Sequence, residues 1–526
     1  MVKISRADQW KSIAEKQFDV VIVGGGINGV GILKEATRAG LSALLVEAKD
    51  FAWGTSSRSS KMVHGGFRNI AQGQLNVMLE SVRERERLLK DASGLVDPLV
   101  FLMPVYKSHV KEIVAEFGLS VYDLFAGRNT HRHRSVDHFK KALPGLRTEN
   151  LLGGFSYEDA QTDDSRLVLR VLADAVKHGA TAMNYVAAKK IMQSDNKVEG
   201  VEIEDVLTRN RLEIRARTIV NATGAGADFL RQAFGSPPLV RATRGSHLVF
   251  SQSKFPIRCV VAFPHPVDKR NVFAYPWHKH VLIGTSDSEH DLPLEKEPRI
   301  SLDEVKYLVA AVDYYFPGLN LTLADANATW AGLRPAIKDG KEDSFKESRE
   351  SLVLDERGMI TVTGGKLTTF RNTAYEVLSK ISKYVDFKPE TKQEPIFETI
   401  DPIELPSDIP LAMRRRLAGY YGHDALDIIS HAKPGELEAI PDTPLLWAEL
   451  RYSAKNEYIV HLEDLLLRRG RIGFTLINGG AALLEQVRKI VQPELGWNDD
   501  RWEQEKNEYL ALVKEAYSVP TALALN

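Results

Sequence analysis

Phe18-Asp19-Val20-Val21-Ile22-Val23-Gly24-Gly25-Gly26-Ile27-Asn28-Gly29 decides the reading of this chain. Residues 18–23 are a near-continuous apolar run stopped by glycines, the pattern of a strand buried on both faces. The spacing from Asn28 to Arg38 predicts a helix, and Leu41 to Glu47 reads as a second buried strand. Together they make a βαβ unit. Gly24, Gly26 and Gly29 fit the spacing GxGxxG between the first strand and the helix. Gly24 makes the turn, Gly26 lets a pyrophosphate approach the backbone, and Gly29 lets helix and strand pack closely. The helix start at Asn28 favours negative phosphates. Glu47, ending the second strand, stands where both adenosine ribose hydroxyls would be bound. A glycine-rich turn that binds nothing is the competing interpretation, and the complete unit argues against it.

The residues beyond Glu47 separate FAD from NAD. Gly54-Thr55-Ser56-Ser57-Arg58-Ser59-Ser60-Lys61 offers hydroxyls and backbone amides suited to an extended pyrophosphate and ribityl chain, with Thr55, Ser56, Ser57, Ser60 and Lys61 as the candidates. NAD has no ribityl group that needs them. Thr218 to Gly224 reads as a buried strand ending in small residues, as required where backbone passes close to a cofactor. Gly364-Gly365-Lys366-Leu367-Thr368-Thr369 follows a strand-like run and precedes a helical one. The amides of Gly365, Lys366, Leu367 and Thr368 could there meet the flavin N1/C2 edge and stabilise anionic reduced flavin.

At 526 residues the chain exceeds what one core usually organises, so two or three lobes are expected. The expected class is α/β, a Rossmann-like FAD-binding domain interleaved with a β-sheet substrate domain, plus a C-terminal helical domain. The FAD-binding lobe is assigned to about 18–90, 150–245 and 350–385, the substrate lobe to about 91–149 and 246–349, and a helical cap to 401–526. Short β-rich runs at Val198–Ile203, Arg211–Val220, His247–Phe250 and His280–Gly284 suggest a second sheet. Prolines at 402, 406 and 410 precede helical patterns at Met413–Tyr421, Tyr458–Arg469 and Arg501–Tyr517.

Lys and Arg total 69 against 70 Asp and Glu, so the chain lacks the net positive field of a nucleic-acid partner. Its one cysteine, Cys259, excludes intrachain disulfides, cysteine-rich zinc sites and thiolate-held clusters, and fits a reducing compartment. The first residues hold no apolar run of a secretory signal, and no apolar segment approaches bilayer length. His131 and His133 alternate with arginines that repel a cation, so no metal site is expected. Asp163 and Asp164 read as capping or salt-bridge groups.

In order along the chain, five stretches carry a resemblance: Gly24 to Gly29, Thr55 to Gly66, Gln161 to Leu167, Gly332-Leu333-Arg334-Pro335, and Gly364 to Thr369. On these the chain resembles the D-amino-acid-oxidase-like flavoproteins, and within them the flavin-dependent glycerol-3-phosphate dehydrogenases. The resemblance runs from about Phe18 to Leu378 and extends to the C-terminal helical region. It implies oxidation of sn-glycerol 3-phosphate to dihydroxyacetone phosphate, with electrons passed to a membrane quinone. By similarity His64 lies beside the flavin ring, Arg334 near the substrate hydroxyl, Arg68 and Lys366 at the substrate phosphate, and His247 toward the substrate pocket. Val186 and Gly224 are implied as further cofactor contacts. One departure stands out: the family has Tyr after the arginine of its His-Gly-Gly-Leu-Arg motif, where this chain has Asn69 after Arg68.

Those residue types suit the chemistry. An imidazole can accept the hydroxyl proton, and a guanidinium can stabilise developing alkoxide charge. Arg68 supplies a planar fork for phosphate and Lys366 a point charge. An apolar face between His109 and Phe125, followed by Arg128, Arg132, Arg134, Lys140 and Lys141, fits either an anionic lipid surface or a core-facing helix beside a solvated basic loop. The resemblance favours lipid contact, hence a cytoplasmic enzyme held peripherally at the inner face of the membrane; a homodimer is compatible with the sequence. Two rivals stay open: an oxygen-using oxidase of the same superfamily, acting on this or another substrate, and a flavin-containing membrane redox sensor.

Overall fold

The computed structural model describes residues 5–66, 75–107, 116, 118–123, 125, 127–128, 130–195, 197–337, 351–389 and 394–520. Two compact units emerge. The first comprises Met1–Ser59, Asp164–Thr243 and Leu333–Phe397, and the second Ser60–Asp163, Arg244–Gly332 and Glu398–Asn526.

The first unit is built on β1 (Phe18–Val23), β2 (Ala43–Glu47), β7 (Thr181–Asn184), β8 (Val186–Ser194), β9 (Lys197–Asp205), β10 (Arg211–Asn221), β17 (Ser351–Glu356) and β18 (Met359–Gly364). Their order is β17-β18-β10-β1-β2-β7, with β9 pairing β10 and β8. From β18 to β7 the neighbours run parallel. Parallel strands need helical crossovers and are buried on both faces, which is why β1 reads as an unbroken apolar run. Val21, Val23, Leu44, Val46 and Ile219 share one core cluster. β1, β10 and β18 lie side by side at Val23, Asn221 and Thr361, and β18 runs on to Gly364 at the carboxyl end of the sheet, the end of an open α/β sheet at which ligands bind.

The second unit holds β3 (Met62–Val63), β4 (Val96–Tyr106), β5 (Arg132–Arg134), β6 (Leu151–Thr162), β12 (Val260–Pro264), β13 (Asn271–Trp277), β14 (His280–Gly284) and β15 (Ser288–Glu289). Most of β11 (Val240–Ser251) and β16 (Ala326–Ile337) also belongs to it. The sheet order is β15-β11-β14-β13-β12-β4-β6-β3, with β16 on β11 and β5 on β6. The helix Leu302–Tyr315, started by a Ser301–Glu304 capping box, contributes Val305, Leu308 and Val312 to the core beside this sheet. Cys259 lies in the same core, and burial pushes its thiol up to about 11.

Several expectations change. Val198–Ile203 and Arg211–Val220 belong to the first sheet, not the second. The first half of β10 pairs antiparallel with β9, and its second half runs parallel to β1; a β-rich run does not announce its partner. Residues 60–66, 75–107 and 130–163 group in the second unit, where β6 pairs along its length with β4. The C-terminal residues also group there; their mainly helical character is the one expected. The predicted helix Tyr458–Arg469 starts only near Leu462, since the Asp464 carboxylate accepts the N–H groups of Val460 and His461 and so begins the turn there. The second strand starts at Ala43 rather than Leu41, because the Leu41 N–H still donates to Ala36 O of the preceding helix.

Much of the apolar face expected at His109–Phe125 lies outside the described residues. Within the described part, Val121 and Phe125 pack against Met78, Val82 and Tyr122, so these two side chains face protein. Arg128 pairs with Glu86 and Glu158, and Arg134 donates to Ser156. Among the described residues no helix is long and apolar enough to cross a membrane.

Candidate active site

In the first unit the glycine loop is packed too tightly for side chains. Gly24 has a φ of +115°, and a Cβ there would stand 2.4 Å from Ala222 O; a Cβ on Gly29 would stand 1.8 Å from Gly24 O. The helix Ile27–Arg38 begins after Gly26 with no side-chain cap. Its first backbone bond runs from Val30 N to Gly26 O, leaving the Asn28 and Gly29 N–H groups without an intrahelical acceptor. The Ile27 N–H is taken by Ser56 Oγ at 3.0 Å, which draws the serine turn Thr55–Ser57 over the helix start. Glu47 accepts the Gly25 N–H at 2.6 Å and the Lys49 N–H at 2.8 Å, one on each carboxylate oxygen. Burial raises its pKa while both bonds oppose that rise. These bonds fix the carboxylate at the loop with further lone pairs for a pair of hydroxyls.

Two more segments join this loop. Asn28 Nδ2 donates to Gly364 O at 3.4 Å, bringing the turn containing Gly365, Lys366, Leu367 and Thr368 to the start of the glycine-loop helix. Thr55 Oγ1 donates to Leu333 O at 2.5 Å, placing the half-buried Arg334 next in chain after a residue held by the serine turn. Gly224, at φ +60°, accepts a bond from Thr363 Oγ1 at 3.1 Å. Val186 is buried at the start of β8. A bare-backbone cradle, an open helix start and a fixed carboxylate at the carboxyl ends of parallel strands fit an adenine dinucleotide. Replacing Gly29 with Ala forces its Cβ against the Gly24 carbonyl; the purified variant is expected to lose bound FAD and about 1–3 kcal/mol or more of stability, read from flavin absorbance per protein and thermal unfolding.

In the second unit Ser60, Lys61, His64 and His247 lie among a different set of partners. Ser60 Oγ is 3.0 Å from His247 Nε2. The His247 ring stacks on Trp330 at 4.8 Å and lies against Gly284, where a Cβ would be 2.3 Å from the imidazole. Lys61 is fully buried at φ +59°, its ammonium 5.1 to 5.6 Å from the ring centres of Trp277, Trp330 and Phe474. Arg68 and Asn69 lie outside the described residues. His64 follows β3 and precedes a pinned turn, for the Gly65 N–H donates to Asp159 and Tyr122, both at 3.0 Å. Asp159 is held in turn by Arg85 at 2.6 Å and by the Tyr122 hydroxyl at 2.8 Å. Burial raises the Asp159 pKa against the opposing pull of Arg85. Sequence reasoning missed Asp159, Arg85 and Tyr122; the usable signal was an acidic residue at an otherwise buried position of β6, two residues before the motif Gln161–Leu167. Asp163 and Asp164 behave as expected: the first pairs with Arg471 at 3.0 Å, and the second accepts Ser59 N and Oγ at 2.9 and 2.7 Å.

A family model described as "FAD dependent oxidoreductase" matches residues 19–371, and one described as "C-terminal domain of alpha-glycerophosphate oxidase" matches residues 364–502. The aerobic glycerol-3-phosphate dehydrogenase of Bacillus subtilis is 33% identical, the match covering 94% of each chain. That of Staphylococcus haemolyticus is 32% identical over 97% of this chain and 96% of its own. The chain belongs to the aerobic glycerol-3-phosphate dehydrogenase family of FAD-dependent oxidoreductases. A glycerol-3-phosphate dehydrogenase from Bacillus halodurans, solved in complex with FAD, superimposes with a TM-score of 0.77 at 29% identity, covering 97% of both chains. An L-alpha-glycerophosphate oxidase from Mycoplasma pneumoniae, at 18% identity and a TM-score of 0.58, shares the fold over 72% of this chain. For an FAD-dependent dehydrogenase, the glycine loop, the Glu47 carboxylate and the serine turn are the features that fit the cofactor.

Proposed function

We propose that this dehydrogenase oxidises sn-glycerol 3-phosphate to dihydroxyacetone phosphate and delivers the electrons to a membrane quinone. The observation that carries the reading is near-full-length similarity to relatives named aerobic glycerol-3-phosphate dehydrogenases, in a chain that keeps the dinucleotide cradle. The chemistry supplied by bound FAD is acceptance of a hydride from the alcohol carbon. His64 takes the hydroxyl proton, and the turn that Asp159 pins restricts the backbone next to it. Arg334 stabilises the developing oxyanion. Arg68 and Lys366 hold the phosphate, which selects glycerol 3-phosphate over glycerol, and His247 borders the substrate. Gly24, Gly26, Asn28, Gly29, Glu47, Thr55 to Ser57, Ser60, Lys61, Val186, Gly224 and Gly365 to Thr368 are the cofactor contacts in this reading. Peripheral contact with a membrane follows from the acceptor, since a quinone is reached in the lipid phase.

Product and acceptor are tested together. With glycerol 3-phosphate and a soluble quinone analogue, dihydroxyacetone phosphate is expected to accumulate in step with quinol, and air alone should give little hydrogen peroxide. Peroxide forming at the rate of substrate loss, with no dependence on quinone, would make the enzyme an oxidase.

A further inference from the structure

Phe474 belongs to the C-terminal region, whose contribution to the reaction the family similarity leaves unassigned, yet its ring lies in the same unit as Ser60, Lys61 and His247. It stacks on Trp330 at 5.3 Å and 16°, and Trp330 stacks on His247 at 4.8 Å and 13°. Trp330 is thus stacked with both rings. On the far side of the imidazole Gly284 offers bare backbone, so the ring is clamped between an indole and a glycine while its Nε2 meets Ser60 Oγ. Phe474 is itself located by Arg471, whose guanidinium is 4.9 Å from the ring and ion-pairs with Asp163. A plain apolar core would fill this volume with aliphatic side chains. Here it encloses the Lys61 ammonium and a polar imidazole, groups that are costly to bury unless they are held in a fixed geometry.

We infer that Phe474 is a positioning residue for the substrate site: by backing Trp330 it holds the His247 imidazole in the orientation from which it meets substrate. The C-terminal region thereby completes the site instead of capping it. This inference rests on the placing of His247 at the substrate under the proposed function. Loss of the Phe474 ring lets the indole tilt, and the imidazole then loses one fixed rotamer and the hydrogen bond that depends on it.

The test is a double-mutant cycle of Phe474→Leu and His247→Asn, with kcat and KM for glycerol 3-phosphate, flavin content and melting temperature measured for each holoenzyme. Phe474→Leu is expected to keep its flavin and raise KM roughly five- to tenfold, as loss of one oriented hydrogen bond would, with a smaller change in kcat. In the His247→Asn background the same change should add less than about twofold, because the group through which it acts is gone. Equal factors in both backgrounds, or an unchanged KM beside a lowered melting temperature, would reduce Phe474 to a packing residue and overturn the inference. A His247→Asn variant with unaltered KM would remove His247 from the substrate site, and the inference would fall with that part of the proposed function. Should Phe474→Leu not accumulate as folded flavoprotein, Trp330→Phe enters the same cycle with the same expected and contrary results.

Discussion

An Arg334→Ala variant is expected to purify yellow and to turn over ~100–1,000-fold more slowly than the parent enzyme, the usual effect of removing a donor aimed at developing negative charge. Flavin retention follows from the cofactor contacts proposed above: the glycine loop, Glu47 and the serine turn hold their geometry through bonds among themselves. Thr55 bonds the Leu333 carbonyl, so the serine turn holds the backbone next to Arg334 through a main-chain oxygen that the substitution leaves in place. The loss should therefore appear in kcat while the flavin-to-protein ratio stays constant. Arg334→Lys is expected to recover only part of the rate, since an ammonium lacks the planar fork. Steady-state kinetics on both variants decide the matter; an Arg334→Ala enzyme with full activity would remove Arg334 from the chemistry.

The second large effect concerns stability. Arg471 and Asp163 are both almost wholly buried, and the guanidinium meets the carboxylate through Nε at 3.1 and 3.2 Å and through Nη2 at 3.0 Å. Burial by itself would raise the Asp163 pKa, but Arg471 foremost, then His278 and Lys61, holds it far below the usual carboxylate range. A carboxyl group depressed in the folded state stabilises the protein fully above its unfolded pKa of about 3.9, and that contribution is lost as pH falls below it. Arg471→Met leaves a buried carboxylate short of its main counter-charge and is expected to cost about 3–5 kcal/mol at neutral pH. The deficit should shrink on acidification toward pH 4, as Asp163 takes up a proton in the variant before it does in the parent. Adding Asp163→Asn should restore much of the loss at neutral pH, because the two sites share one interaction. Thermal melts of the single and double variants across pH check this, and a pH-independent deficit would mean that Arg471 acts by packing.

What the sequence disclosed and what it hid divide along physical lines. The βαβ unit was legible because three signals coincide locally: a doubly buried strand, glycines where a Cβ would strike backbone, and a carboxylate at the end of the next strand. The turn at Gly364 was legible as a glycine pair between a strand-like run and a helical one, and both glycines take positive φ. The placing of β10 was not, because hydrophobic runs report burial and not pairing partners, and this strand has an antiparallel neighbour for one half and a parallel one for the other. Nor was the surrounding of Lys61 visible, since its cage comes from positions 277, 330 and 474, brought together only by the tertiary fold. Arg471 stands at φ +54°, and nothing near it in sequence points to Asp163. A charged pair of this kind, made across the unit, is detectable only once both strands and helices are packed.

Anaerobic mixing of the purified yellow enzyme with sn-glycerol 3-phosphate, and separately with glycerol and with D-amino acids, tests the central claim most directly. Rapid bleaching of the flavin absorption by glycerol 3-phosphate, with glycerol and the amino acids leaving it unchanged, is the result the account predicts. Flavin that stays oxidised with glycerol 3-phosphate, or that is bleached equally by glycerol, would contradict it.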